Sequence, residues 1–421
     1  MEEIPNIRHL RVFMEVAHCR SVSGGAVRVH LSQPAVTQAI GKLESELGTP
    51  LFQRRTDGMF LTEIGAQFLL RVERALMHLE TGAREVVRIG NRAAHGGASK
   101  GAGRFDHLLT ATQLRALVAL SESENFSLAA RQVGVSQPSI HRAARNLESI
   151  AGVTLFNATP EGIVLTAAAR SMAQNTRLAL AELRQGQDEV AAWLGQDSSR
   201  IMVGSLPLAR TSIVPQAVHR LVSEREGVQV QVIDGIYGEL LNRLRHGTLD
   251  FLIGALRFPA PADDVTQELL FDDPLAIVAR VGHPLAGKKT VTLAETLDYP
   301  WIAPPRTTPA GSYLYETLRI HEQPQTPVRV VSSSLVFLRG LMTIGDYITI
   351  ISTHQIRHEL ESGLLTTLNV SLVNSDRSIG LTFRKGWHPT PSQARFLEHV
   401  RDVAASGSRA APGQIDLHSY A

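Results

Sequence analysis

Two stretches carry side chains suited to holding a polyanion and reading base edges. In the first, Gln33, Thr37, Gln38, Gly41 and Lys42 recur at helical spacing behind Ser32 and Pro34. In the second, Gln137, His141, Arg142, Arg145 and Asn146 do so behind Ser136 and Pro138. Amide side chains can bond the adenine edge in pairs, and arginine does the same with guanine. Lysine and arginine neutralise phosphates, which fixes register without reading sequence. A solvated helix face has a similar composition, so the surrounding elements must decide.

Those elements occur twice. Ser32 and Ser136 read as N-caps, with hydroxyls that accept from a first-turn N–H. Pro34 and Pro138 fall in that first turn, where a missing N–H is harmless. Leu31 with Val36, and Val135 with Ile140, are spaced as staples across the cap. Val36, Ala39, Ile40, Leu43 and Leu47 then point inward, as do Ile140, Ala143, Ala144, Leu147 and Ile150. An amphipathic helix over 10–17 and another over 23–29 precede the first capped helix. Asp57-Gly58, flanked by 51–55 and 59–61, reads as a hairpin, and Arg54 lies on its first strand. Three helices and a two-stranded wing make a winged helix-turn-helix. An offset of 104 positions, Ser32 to Ser136, holds without a gap from Leu10/Leu114 to Thr62/Thr166. Matches such as Gly48/Gly152, Leu51-Phe52/Leu155-Phe156 and Gly58/Gly162 identify a duplication.

Composition bounds the rest. The 421 residues suffice for two to four domains, with 43% hydrophobic and 19% charged residues. A net charge of +2 leaves any DNA attraction to local patches. A single cysteine, Cys19, excludes an internal disulfide and suggests a reducing, cytoplasmic setting, with the thiol buried on the first helix. No apolar run approaches the ~18 residues of a membrane span, so no membrane partner is expected. The 16 histidines are scattered. No catalytic residue, cofactor or metal site is expected.

After Thr62, itself an N-cap candidate, a helical pattern runs to about Arg92, roughly 45 Å at 1.5 Å per residue. Leu69, Val72, Leu76, Leu79, Ala83 and Val86 form a heptad seam suited to helix pairing. Residues 93–104 have linker composition. A second winged unit covers 105–166 and a second long helix 167–196, its seam interrupted by Thr176 and Gln187. From residue 200 the pattern alternates. Strands read at 201–204, 228–233, 251–255, 275–279, 328–331, 348–351 and 379–383. Helices read near 215–223, 237–246, 313–320, 335–342 and 392–404. This is an open α/β sheet, or two, with ligands expected at the carboxyl ends of strands. Ser205 follows a strand. Thr307, Thr308 and Ser312 lie in a Pro/Gly-rich loop before a helix, and Ser332 and Ser333 open another. Hydroxyls at helix N-termini suit an anion, although N-capping uses the same residues.

Leu10-Arg11-x-Phe13, the run from Ser32 to Thr37, Leu43-Glu44-x-x-Leu47-Gly48-x-x-Leu51-Phe52-x-Arg54 and Leu61-Thr62-x-x-Gly65 resemble the LysR-type transcriptional regulators. Gly204-Ser205-Leu206-Pro207, Gly247-Thr248-Leu249-Asp250-Phe251 and Gly282-His283-Pro284-Leu285 resemble the family's effector domain, of the periplasmic-binding-protein type II fold with two subdomains. The resemblance implies a winged domain over 5–62, a dimerisation helix over 63–92, a second winged domain over 105–166 and an effector domain over 200–405, with 406–421 a loose tail. It also implies double-stranded DNA and a small anionic or sugar-like effector as partners. A homodimer or homotetramer, contact with RNA polymerase and a bacterial cytoplasmic location follow from it as well. The effector is expected between the subdomains near Ser205 and the 307–312 loop, and the α/β half is similar to regulators of sugar and aromatic-compound catabolism. Arg54 corresponds to the family's phosphate-holding wing arginine. The departure is the duplication, with Ala158 at the position of Arg54 and His141 at that of Thr37. The second copy therefore reads a different sequence or only dimerises. The alternative is a cytoplasmic solute-binding or enzyme-like α/β protein whose amino-terminal units serve assembly.

Overall fold

The computed structural model describes residues 4–56, 58–93, 102–160, 162–323 and 327–409. They form two compact units, one made of the chain up to Ser199 with His246–Thr248, the other of Arg200–Arg245 and the chain from Leu249. Among the described residues no helix is long and apolar enough to cross a membrane.

The first unit contains the repeat. Helices α1 (Ile7–Cys19), α2 (Val22–Arg28) and α3 (Gln33–Leu47) lead into a hairpin of β1 (Phe52–Arg55) and β2 (Gly58–Leu61), then α4 (Glu63–Ala93). After a 3-10 turn at Ala102–Leu108 come α5 (Ala111–Ser123), α6 (Phe126–Val133), α7 (Gln137–Ala151), β3 (Phe156–Thr159), β4 (Gly162–Leu165) and α8 (Ala167–Trp193). Leu10, Phe13, Val36, Leu43 and Leu51 fill one head, and Leu114, Leu117, Ile140, Leu147 and Leu155 the other. Glu44 shows why the repeat keeps a carboxylate. It accepts from the N–H groups of Leu51 and Phe52 at 2.8 and 3.1 Å, tying the capped helix to its wing. Glu148 does the same for Leu155 and Phe156 at 2.8 and 3.0 Å. Gly58 and Gly162 adopt φ of +146° and +150°, and a Cβ there would come within 2.7 and 2.6 Å of the Arg20 and Glu124 carbonyls. Only glycine lets each wing approach the α1–α2 or α5–α6 turn so closely.

The seam of α4 is covered by α8 of the same chain. Val72, Leu76, Leu79, Ala83 and Val86 are buried, with Phe68 rather than the half-buried Leu69 opening the stripe, and so are Met172, Ala179, Leu183 and Val190. Arg71, 5% exposed, is enclosed in this pair by Glu182 at 3.0 Å, Glu189 at 2.5 Å and Gln185 at 2.8 Å.

Several expectations need correction here. Ser136 begins α7, but its hydroxyl bonds the Ser139 hydroxyl at 2.8 Å rather than a backbone N–H. Copy one has Ala35 where Ser139 would compete, and there Ser32 accepts from the Ala35 N–H. Val135 stays 41% exposed, so the second staple does not close. Cys19 is half-buried rather than buried. Of the expected 93–104 linker, 94–101 lie outside the described residues, while 102–104 belong to the 3-10 turn. Buried Phe105 anchors that turn, with the Asp106 carboxylate 2.8 Å from Arg11.

The second unit holds β5 (Arg200–Ser205), α9 (Pro207–Thr211), α10 (Ile213–Glu224), β6 (Gln229–Ile233), α11 (Tyr237–Arg245), β7 (Phe251–Ala255) and β8 (Val265–Arg280). Then follow α12 (Leu293–Thr296), β9 (Trp301–Ala303), α13 (Pro309–Ser312), β10 (Val328–Val331), α14 (Leu335–Ile344), β11 (Ile348–Ser352), α15 (Arg357–Glu361), β12 (Leu365–Leu368), β13 (Asp376–Arg384) and α16 (Pro391–Arg409). The strands form one sheet in the order β10-β9-β11-β8-β13-β7-β5-β6, with β12 also on β8. β5 runs parallel to β6 and β7, and β9 parallel to β10 and β11, whereas β8 and β13 run antiparallel. β8 serves several cores, giving Phe271 to one, Leu275 and Ile277 to another, and Val278 and Val265 to two more.

This half departs from its sequence pattern at short or polar strands. β8 starts ten residues before the expected 275, because Thr266 and Glu268 mask it as non-apolar. β9 and β12, of three and four residues, were not anticipated. The helix expected over 313–320 is instead a π-type turn at Tyr313–Thr317, directly after α13, and a 3-10 turn at Ile320–Glu322, separated by Arg319 at φ 48°. α16 reaches Arg409, so 406–409 are helical rather than tail, and 410–421 lie outside the described residues.

Removing Arg71 would strand Glu182 and Glu189 between the long helices. Arg71→Ala should lower the unfolding free energy by about 3–5 kcal/mol, the usual effect of breaking a buried ion pair. Denaturant titration of the full chain checks this, and a loss below ~1 kcal/mol would show that water already serves those carboxylates.

Candidate nucleic-acid interface

Helix α3 and the wing of copy one enclose an open groove of about 780 Å³. Gln33, Pro34, Thr37 and Gln38 line one side, and Arg54 and Arg55 the other. The cap at Ser32 and the α3 core residues set the helix orientation, while pairing of Phe52 with Leu61 holds the wing. Arg55 lies 5.1 Å above the Phe60 ring, which leaves Arg54 pointing from the adjacent position. Gln33, Thr37, Gln38, Lys42 and Arg54 are exposed, and their side chains make no hydrogen bond or ion pair with another described residue. Lys42 continues the same helix beyond the groove lining. The arrangement sets amides and a hydroxyl between cations, a surface that can grip phosphates and reach base edges. Arg55 was missed in the sequence, although its place beside Arg54 was available as a signal.

Copy two is differently committed. Gln137 accepts from the Ser127 hydroxyl at 3.0 Å, and the His141 ring sits 5.1 Å from Phe126. Arg145 pairs with Glu148 at 2.7 Å. Arg142 and His141 are exposed without a hydrogen bond or ion pair to another described residue, His141 having only its ring contact. Pro138 lies exposed in the first turn, and Ser136 is engaged by Ser139. The wing offers Ala158, with no charge.

In the second unit most candidate hydroxyls serve local structure. Ser205 ends β5, wholly buried, and its hydroxyl lies 3.4 Å from the Leu206 carbonyl. Thr308 caps α13 through the Gly311 N–H at 3.1 Å and donates to the Pro305 carbonyl at 2.8 Å. Ser312 donates to Glu316 at 2.7 Å, and Ser332 accepts from the Ser334 N–H at 3.2 Å. Thr307 and Ser333 remain exposed. The structure does bring the two loops together, because the Ser332 N–H donates to the Ala303 carbonyl at 2.9 Å.

Two residues missed in the sequence stand at the neighbouring strand end. Arg257 follows β7, whose Ile253 carbonyl accepts from the Leu206 N–H at 3.0 Å, so Arg257 and Ser205 leave adjacent strands. Its guanidinium lies 4.6 Å over the Tyr237 ring, and Gln267 clamps its backbone N–H and carbonyl at 3.0 and 2.8 Å. Burial pushes the Arg257 guanidinium below its ordinary value, opposed by Tyr237 and reinforced by Arg377. The Tyr237 hydroxyl is buried with no hydrogen-bond partner, and burial pushes it up. Its position at a strand's carboxyl end was the available signal. Nearby in the strand order, Asp273 joins β8 to β11 and β13, bonding Ser352 at 2.6 Å, His354 at 2.8 Å and Arg377. Burial alone would raise its carboxyl, but His354, Arg377 and Ser352 hold it below the ordinary range.

Residues 7–66 and 111–170 each match the family described as bacterial regulatory helix-turn-helix protein, lysR family. Residues 194–405 match the LysR substrate binding domain. The chain belongs to the LysR family. It is a ligand-responsive, DNA-binding transcriptional regulator, with two helix-turn-helix units ahead of an α/β effector-binding domain. Family membership favours this over the solute-binding or enzyme-like alternative. The chain is 32% identical to the HTH-type transcriptional regulator GalR of Pseudomonas putida over 401 residues, 95% of this chain and 98% of that one. That relative is thus long enough for both heads. The match to PcaQ of Agrobacterium fabrum, 27% identical over 301 residues, takes in 72% of this chain and 95% of PcaQ. A full-length OxyR variant from Pseudomonas aeruginosa superposes with a TM-score of 0.52 at 22% identity, over 73% of this chain and 99% of that chain, a likeness of fold.

Two spellings associated with enzymes also occur in this LysR-family chain and escaped the sequence reading. Gly97-Ala98-Ser99-Lys100-Gly101 lies outside the described residues and follows a helix, not the strand that such a nucleophile turn needs. His354 and His358 are four apart, but α15 begins only at Arg357 and the His354 ring is bonded to Asp273. Among the described residues no group of three potential ligands is placed to hold a metal ion.

If the copy-one groove meets the DNA backbone, Arg54→Ala should weaken binding evenly across sequences and flatten the salt dependence by about one unit of slope. Titrations of a duplex at several salt concentrations measure it. An unchanged slope in a folded variant would remove Arg54 from the contacts.

Proposed function

We propose that copy one is the principal reader of duplex DNA and that the α/β domain senses a small organic anion. The proposed reading contacts are Gln33, Thr37, Gln38, Lys42, Arg54 and Arg55, with Arg142 the leading contact of copy two. The domain would act as a two-lobed clamp of the periplasmic-binding-protein type II kind, with β8 and β13 joining the lobes. The observation that carries the ligand reading is Arg257, a half-buried cation stacked on a tyrosine whose buried hydroxyl lacks a partner. A buried polar group without a partner destabilises the protein, and an anion's oxygens would satisfy both groups. Ser205, on the adjacent strand end, with Thr307 and Ser333 from the facing loops, would complete the contacts. Thr308, Ser312 and Ser332 would shape the loops through their local bonds. Lobe closure would then be passed to the heads, in a bacterial cytoplasmic regulator of catabolic genes that assembles as a homo-oligomer and works with RNA polymerase.

A ligand that binds only the folded state raises stability by RT ln(1 + [L]/Kd). A thermal-shift screen of the full chain should therefore find stabilising carboxylates or acidic sugars. Arg257→Gln should abolish their effect while leaving the unliganded melting temperature nearly unchanged. Hits confined to neutral compounds, or shifts that survive Arg257→Gln, would sink the anion reading.

A further inference from the structure

Residues that are equivalent in the repeat exchange contacts across the two long helices. Gly82 of α4 faces Met172 and Asn175 of α8, where a Cβ would come within 2.9 Å of both side chains. Gly186 of α8 faces Phe68 and Arg71 of α4, at 3.0 and 3.1 Å. Gly82/Gly186, Phe68/Met172 and Arg71/Asn175 are each separated by the repeat offset. When residue i meets the counterpart of j, and j meets the counterpart of i, the interface is isologous and has a two-fold axis. Late residues of each helix meet early residues of the other, so the helices run antiparallel. The midpoint of this register falls at Ala75 and Ala179, each 1% exposed. Small side chains at the crossing let the two backbones approach.

The exchange continues outward. Gly90, near the end of α4, packs on Val153 just beyond α7, and Leu194, just beyond α8, lies 3.7 Å from the Cβ position of Gly48 just beyond α3. Ile4 and Pro5 line a cavity with Arg115, Val118 and Leu180. Their counterparts Leu108 and Leu109 line another with Arg11, Met14 and Leu76. The symmetry is therefore a property of the whole first unit rather than of one helix crossing.

We propose that one chain alone constitutes a complete two-fold DNA reader, with α3 and α7 addressing two inverted half-sites of unlike sequence. This rests on the DNA-reading assignment above and adds the number of chains and the arrangement of the site. The seam of α4 is already buried by α8, so a second copy cannot pair through it without displacing α8. A two-fold relation inverts the second half-site, while the different faces make it unlike the first. Copy one presents Gln33, Thr37, Gln38 and Arg54, and copy two presents Arg142 with Ala158 in its wing.

Two measurements on the full chain test this. In a Cys19→Ser background, Ala75→Cys with Ala179→Cys should form a disulfide within single chains under a small-molecule oxidant, leaving a one-chain mass. Ala75→Cys alone should give no linked dimer. Linked dimers from either variant, or no linkage in the double one, would overturn the two-fold pair. For DNA, operators selected from random duplex should show two inverted, unlike half-sites per bound chain by native mass. Arg142→Ala should relax base preference about tenfold in one half only, as loss of an arginine–guanine pair would. One chain per half-site, or two halves indifferent to Arg142→Ala, would overturn the assignment of α7. A chain that cross-links internally yet binds no selected duplex would instead contradict the DNA reading itself.

Discussion

The apolar seam of α4 cannot stay in water, and everything in the first unit follows from what covers it. A 31-residue helix with a continuous apolar stripe needs a partner helix of matching length. Here α8 supplies that partner from the same chain, and the Arg71 cluster fixes which turns meet. A buried guanidinium between two carboxylates and an amide tolerates no other register, because any slip leaves charges unpaired in a dry interface. Two glycines let the helices close on bulky neighbours. Each head is then held at the end of a rigid pair.

Much of this was legible in the residues. Both heads, the cap of α3 and the length of α4 followed from helical spacing, and the duplication from a constant offset. What the spacing could not give was the partner of the seam, since a heptad stripe looks the same whether it pairs within a chain or between chains. The meaning of Gly82 and Gly186 was hidden for the same reason, since a glycine within a helix does not show in the sequence what packs against it. In the α/β domain the long apolar strands were visible. β8 was cut short because its first half alternates polar with apolar residues and so shows no apolar run. β9 and β12 are too brief to carry a period.

The candidate sites divide along similar lines. Polar residues on the α3 face were found because helical geometry alone exposes them, and in copy one they are uncommitted. In copy two Phe126, which stands where copy one has Val22, packs on His141, while Ser127 and Glu148, kept from Ser23 and Glu44, take up Gln137 and Arg145. Of the candidate hydroxyls in the effector domain, Thr308 caps a helix and Ser205, Ser312 and Ser332 make other local bonds, since serine and threonine serve several purposes. Arg257 was passed over because its one signal, a place after a strand, is shared by many residues. Its distinction is three-dimensional, a cation stacked on an unsatisfied tyrosine.

The central claim is that the α4–α8 pair holds the two reading helices in one fixed geometry. A series of operators with altered spacing between half-sites tests this most directly, because a rigid pair must meet both halves on the same face of the duplex. Inserting about 5 base pairs, half a helical turn, should reduce affinity to that of a single half-site, and about 10 should recover at most part of it. Affinity that declines smoothly with spacing, as for heads on a flexible tether, would contradict the account.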